Sequence, residues 1–170
     1  PDGAFQTSRD GGNTWEDYTL NTVITLNTGD EVAFRSKSDR TSTQSSKNHF
    51  YFTMGGKIKA WHNVMSLYRT NDFATYNATI RSAFYHLFDA CGSLTKAPVL
   101  PATTLGERCY SNMFLDCTSL TKAPVLSATT LAPYCYQNMF KRCTSLTKAP
   151  ELPATTLATS CYYGMFNDCR

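Results

Sequence analysis

The sequence predicts an α+β protein in two parts, a small antiparallel β domain followed by a short solenoid of 26-residue units. Residues 91–116, 117–142 and 143–168 read CGSLTKAPVLPATTLGERCYSNMFLD, CTSLTKAPVLSATTLAPYCYQNMFKR and CTSLTKAPELPATTLATSCYYGMFND, with no insertion or deletion. A fixed period of this length marks units that bury their apolar faces against their neighbours. Residues 1–72 share none of that pattern and are rich in β-branched and aromatic residues between turn signals. The expected domains are therefore 1–72, an antiparallel β-sandwich-like N-terminal capping domain, and 73–170, the solenoid, with an atypical first unit at 83–90.

In the N-terminal part, Val23-Ile24-Thr25-Leu26 and Glu31-Val32-Ala33-Phe34-Arg35 have strand composition, and Asn27-Thr28-Gly29-Asp30 supplies the turn of a hairpin between them. Residues 36–47 are polar and aperiodic, as an exposed loop is. A second hairpin is expected from Phe50–Thr53 and Lys57–Trp61 around Gly55-Gly56. Trp15 and Trp61 read as core anchors, with an exposed sugar platform as the other reading. Residues 72–82 make a connector of weak helical character.

Within one unit, Cys109, Met113 and Cys117 stand at i, i+4 and i+8, which predicts a helix burying Cys and Met with Phe114 beside them. Leu94 to Pro98 then reads as a short extended segment, with Leu94 and Ala97 inward and Lys96 and Pro98 outward. Stacked copies would make a narrow parallel sheet that ends at the column Pro98, Pro124 and Pro150, because proline donates no ladder hydrogen bond. Residues 100–105 return the chain to the next helix.

The pattern M-F-x-x-C-x-S-L-x-x-A-P-x-L at Met113 to Leu126 resembles the BspA-type leucine-rich repeat of bacterial surface proteins. The resemblance covers residues 83–170 and recurs in register. It implies a curved leucine-rich-repeat solenoid on a secreted or surface-anchored protein, linked to adhesion and to binding of matrix proteins. Ala97, Ala123 and Ala149 depart from the usual pattern, where a larger aliphatic is common. The segments DGGNTW and ITLNTGDEVAF also resemble the β modules that precede such repeats.

The bulk chemistry narrows the function classes. At 42% hydrophobic and 17% charged, the chain can bury a core. The net charge of +3 is evenly spread, eight Lys and Arg against seven Asp and Glu in residues 1–70 and eight against six in the rest, which argues against nucleic acid as partner. No apolar run reaches membrane-spanning length, so no membrane insertion is expected within this sequence. Pro1 at the start and Arg170 just inside a further unit read as a piece of a longer protein.

Seven cysteines fall in two columns, Cys91, Cys117, Cys143, Cys169 and Cys109, Cys135, Cys161. They read as buried thiols packing like small apolar residues, with bonding between neighbouring units as the other reading. No close Cys or His pair suits zinc, so no metal or cofactor is expected. His49, His62 and His86 share no spacing with a nucleophile, and no G-x-S-x-G, P-loop or G-x-G-x-x-G occurs, so no enzyme is expected.

The candidate ligand-binding residues are two columns expected at the surface. Lys96, Lys122 and Lys148 form a basic strip for an acidic glycan or an acidic protein patch, or else protect an edge. Tyr110, Tyr136 and Tyr162 form a stacking platform, or else lie at the rim of the core. Unit-to-unit variation flanks the predicted helix, at 106–108, 132–134 and 158–160 and at 115–116, 141–142 and 167–168, which makes that side a second candidate face. The expected function is non-catalytic recognition of a host extracellular protein, a glycan or a neighbouring cell surface. A structural spacer, or carbohydrate binding by the β domain, are the alternatives.

Overall fold

The computed structural model of the chain describes residues 5–38, 51–60, 63–68 and 77–170. Contacts group the chain into two compact units, residues 1–41 with 64–76 and residues 42–63 with 77–170. The expected α+β leucine-rich-repeat solenoid is corrected by the backbone. Among the described residues there is no α-helix; regular structure amounts to five short strands and one 3-10 turn, and the rest is turn and coil.

The first compact unit holds a three-stranded antiparallel sheet of β1 (Phe5–Ser8), β2 (Glu16–Tyr18) and β3 (Ala33–Ser36), in the order β2-β1-β3. Gln6 faces Asp17 on one side and Arg35 on the other, and its amide joins them, donating to Asp17 at 3.0 Å and accepting from Arg35 at 2.8 Å. The β1–β2 turn is fixed by Asp10, whose carboxylate accepts from the Thr14 backbone at 2.9 Å and the Thr14 hydroxyl at 2.6 Å. Gly11 and Gly12 take the positive φ that this turn requires. The 3-10 turn Val64–Leu67 buries Val64, Met65 and Leu67 in the same unit.

The predicted hairpin of Val23–Leu26 with Glu31–Arg35 does not form. Residues 22–27 are coil with Val23 86% exposed, and β3 takes its partner from β1 instead. Strand propensity is realised only against a partner edge, and Phe5–Ser8 supplies the one that β3 uses. One sheet, rather than a sandwich of two, is present among the described residues of this unit.

The second compact unit owes its order to a backbone that the cysteine spacing disguises. The amides of Cys109, Ser111, Met113, Leu115 and Cys117 each donate to the carbonyl three residues back, at 3.2 Å. The alternate amides, of Arg108, Tyr110, Asn112, Phe114 and Asp116, donate to Pro133, Cys135, Gln137, Met139 and Lys141 of the next unit at 2.9–3.1 Å. Arg108, Asn112 and Asp116 have φ of 55°, 56° and 59°, so one residue in four is left-handed. The result is a ribbon of overlapping turns, repeated at 82–90, 134–142 and 160–168. An α-helix spends every interior amide on itself; this ribbon spends half of them on its neighbour. Five such bonds join successive ribbons, each worth a net ~0.5–1.5 kcal/mol.

Because the ribbon repeats every four residues, it turns side chains inward in pairs. Cys109, Tyr110, Met113, Phe114 and Cys117 are all at most 1% exposed. Across units the rings stack in columns. Phe52, Phe88, Phe114, Phe140 and Phe166 lie 5.4–5.8 Å apart, and Phe84, Tyr110, Tyr136 and Tyr162 lie 5.6–5.8 Å apart. These separations suit offset-stacked aromatic pairs.

The parallel sheet expected at Leu94–Pro98 is reduced to one pairing. β4 (Ile58–Lys59) pairs in parallel with β5 (Leu94–Lys96), and farther along only isolated bridges such as Leu100↔Leu126 and Thr104↔Thr130 join the units among the described residues. Pro98 is buried rather than outward. The predicted second hairpin also fails, since residues 51–55 are coil and β4 pairs forward with β5. Residues 52–60 and Asn63 instead imitate a unit: Phe52 stacks on Phe88, its carbonyl accepts the Cys91 thiol, and Asn63 bridges Val99.

Candidate binding surface on the stacked units

The extended segments carry the lysines outward because the alternate residue is spent on the core. Leu94 and Leu120 are 0% exposed and Leu146 6%, while Lys96, Lys122 and Lys148, two residues on, are all exposed. The pairing of β4 with β5 adds a fourth member, because Lys59 is the register partner of Lys96 and is itself exposed. Lys59 escaped the sequence reading because Phe52 and Phe88 are 36 residues apart, ten more than the 26-residue period, so this unit is out of phase with the others. Like charges in register are unfavourable, so the column is a feature that packing alone does not favour. Val99 and Val125, three residues beyond their lysines, are 56% and 78% exposed and border the same strip.

The tyrosine column lies elsewhere. Tyr110 and Tyr136 are 1% exposed, sandwiched between the rings above and below, and offer no face to a ligand. Burial pushes the Tyr110 and Tyr136 hydroxyls well above their ordinary pKa. Tyr162, in the last unit, is half-buried.

The variable positions flanking the ribbon are largely occupied with one another. Arg142 Nε meets Asp116 Oδ1 at 2.5 Å and a second guanidinium nitrogen meets Oδ2, a bidentate pair that lowers the Asp116 pKa. Arg81 pairs with Glu107 at 3.1 Å, and the Arg108 guanidinium lies 4.4 Å from the Tyr134 ring centroid. Variation here is matched between neighbouring units, which stabilises the stack rather than leaving charge for a partner.

Trp15 is half-buried, donates from its indole to Gly12 at 2.9 Å and lies under the Arg35 guanidinium at 4.1 Å, so one face of the ring is already covered. Trp61, His49 and His62 lie outside the described residues. His86 Nδ1 meets Asp89 Oδ2 at 2.5 Å and its Nε2 lies 3.0 Å from the Asn112 amide, so ribbon residues occupy both ring nitrogens.

All seven cysteines are free thiols, six of them buried. Cys91, Cys117, Cys143 and Cys169 donate to the carbonyls of Phe52, Phe88, Phe114 and Phe140 at 3.0–3.1 Å. Burial pushes Cys91 and Cys143 up to about 12 and Cys135 up to about 11, so these thiols stay protonated at neutral pH. Among the described residues no group of His, Cys, Asp and Glu is arranged to hold a metal ion, and no helix is long and apolar enough to cross a membrane. No protein family, curated protein or solved structure matches the chain.

Proposed function

We propose that the stacked units form a non-catalytic recognition surface, on a secreted or cell-surface protein, for an extended anionic partner, either an acidic glycan or an acidic patch of a host protein. The observation that carries this reading is the exposed column Lys59, Lys96, Lys122 and Lys148, with Lys59 and Lys96 in register. Pairing of β4 with β5 sets Lys59 beside Lys96, and a partner with several anions gathers several weak contacts at once. At the variable positions, Asp116 and Arg142 pair with each other.

Immobilised heparin serves as the probe. The native chain is expected to be retained at low salt and released as ionic strength rises, because exposed charge contacts are screened. Changing the four lysines together to glutamate should weaken retention at least tenfold while shifting the thermal midpoint by only a few degrees. Retention unchanged by the substitution would remove the column from the function. A chain that binds neither heparin nor an array of matrix proteins would favour the spacer reading.

A further inference from the structure

The extended segment of a unit turns two residues outward from between buried neighbours. In the first full unit these are Lys96 and Val99, set among Leu94, Pro98 and Leu100, all three buried. The second unit repeats the arrangement, with Lys122 and Val125 exposed between the buried Leu120 and Leu126. The bridge Leu100↔Leu126 brings Val99 beside Val125 across the junction, and the bridge Asn63↔Val99 sets Asn63 on the opposite side of Val99. In the third unit Glu151, also exposed, stands where the valines stand in the other two. The outer surface therefore carries two columns. One is basic throughout, Lys59, Lys96, Lys122 and Lys148; the other has an apolar centre, Val99 at 56% and Val125 at 78% exposure, flanked by Asn63 and Glu151. Packing makes little use of these two valine side chains, yet they lie side by side and follow the same lysine at the same interval.

The two columns together narrow the anionic partner proposed above, and the inference rests on that reading. An acidic glycan satisfies the lysines but offers the valines only hydroxyl-bearing rings, and valine lacks the flat aromatic face on which such rings stack. A polypeptide carries carboxylates and apolar side chains on one backbone, so it can meet both columns at once. We infer that the surface formed by Lys96, Val99, Lys122 and Val125 docks an acidic polypeptide segment. Its Asp or Glu side chains lie over the lysine column, and its aliphatic or aromatic side chains cover the two valines. The lysines supply attraction and orientation, and the valines supply the uncharged centre that protein interfaces have. Glu151 adds a repulsive element: a carboxylate set over the second column meets a like charge there, so the acidic side chains are held to the lysine side.

The test uses the whole chain and labelled probes: heparin, a synthetic peptide of alternating glutamate and leucine, and the same peptide with serine in place of leucine. Binding is followed by fluorescence anisotropy at low salt. The leucine peptide is expected to bind at least tenfold more tightly than the serine peptide of equal charge. Val99→Thr with Val125→Thr should reduce that preference to about threefold or less without changing heparin binding, whereas Val99→Ile with Val125→Ile should keep it. Both double variants should hold the native thermal midpoint, because the two positions are exposed. Equal binding of the two peptides, or a preference that survives the threonine variant, overturns the inference. Heparin bound while neither peptide binds also overturns it, and makes the partner a glycan. In each of those cases changing the four lysines to glutamate still abolishes heparin binding. Heparin and peptide binding that both survive the lysine change would instead remove the recognition column itself, and the inference with it.

Discussion

Phe114→Ala is expected to lower the unfolding free energy by about 3–5 kcal/mol, a large share of the ~5–15 kcal/mol that holds an ordinary domain together. Phe114 is 0% exposed and lies between Phe88 at 5.6 Å and Phe140 at 5.7 Å, nearly parallel to both. Truncation removes both stacking contacts and leaves a cavity that the ribbon cannot close, because its five inter-unit hydrogen bonds fix the separation of the backbones. Phe166→Ala removes a ring with a single stacked neighbour, 5.8 Å away, at a half-buried position, and is expected to cost well under half as much. Urea titration of both variants checks the contrast. Equal losses would mean that the column is not the continuous ladder its ring spacings describe.

The second large effect is alkaline. Cys91 and Cys143 are pushed up to about 12 and Cys135 up to about 11, chiefly by burial, whereas an unfolded thiol titrates near 8.5. A folded pKa raised above the unfolded one means that the folded state holds its proton longer. The stabilisation is fully present below about pH 8.5 and is lost as the pH rises toward the folded values, at about 1.4 kcal/mol per pH unit for each thiol. The thermal midpoint is therefore expected to be nearly level from pH 6.5 to 8.5 and to fall steeply from pH 9 to 11. Cys91→Ala with Cys143→Ala should flatten that fall, which separates the thiols from lysine and tyrosine ionisation over the same range. A fall of identical steepness in the double variant would show that the thiols are not its source.

What could be read from the sequence follows from the physics of periods. The 26-residue register of the stack and the inward set Cys109, Met113, Phe114 and Cys117 were legible, because a spacing of four lies close to the 3.6 of a helix over two turns. The backbone itself was not. A four-residue ribbon and an α-helix bury nearly the same positions over nine residues, so apolar spacing does not separate them. The distinguishing signal was Asn112, Asn138 and Gly164, in the middle of the supposed helix and immediately before each Met. Asn and Gly tolerate a left-handed φ and are poor helix formers, and all three take φ between 51° and 63°.

The site was legible to a similar depth. The exposed lysines of the three full units followed from their register, whereas Lys59 needed the pairing of β4 with β5. The ten additional residues between Phe52 and Phe88 hide that unit from a search at constant period. The tyrosines were ambiguous, because Tyr suits both an interior and a surface; Phe84 at the head of their column was the clue to the interior. In the N-terminal part, the β-branched run at Val23 outweighed Phe5–Ser8 in composition, yet the sheet formed where a partner edge was available.

The most direct test of the account is the backbone conformation of the ribbon, since the ring columns and the thiol column both depend on it. NMR measurement of Cα shifts and of HN–Hα couplings across Gly106 to Cys117 distinguishes the alternatives. The account predicts left-handed φ at Arg108, Asn112 and Asp116, with slow amide exchange both at the amides bonded within the ribbon and at those bonded to the next unit. An unbroken run of helical shifts from Arg108 to Asp116, with no positive φ among them, would contradict it.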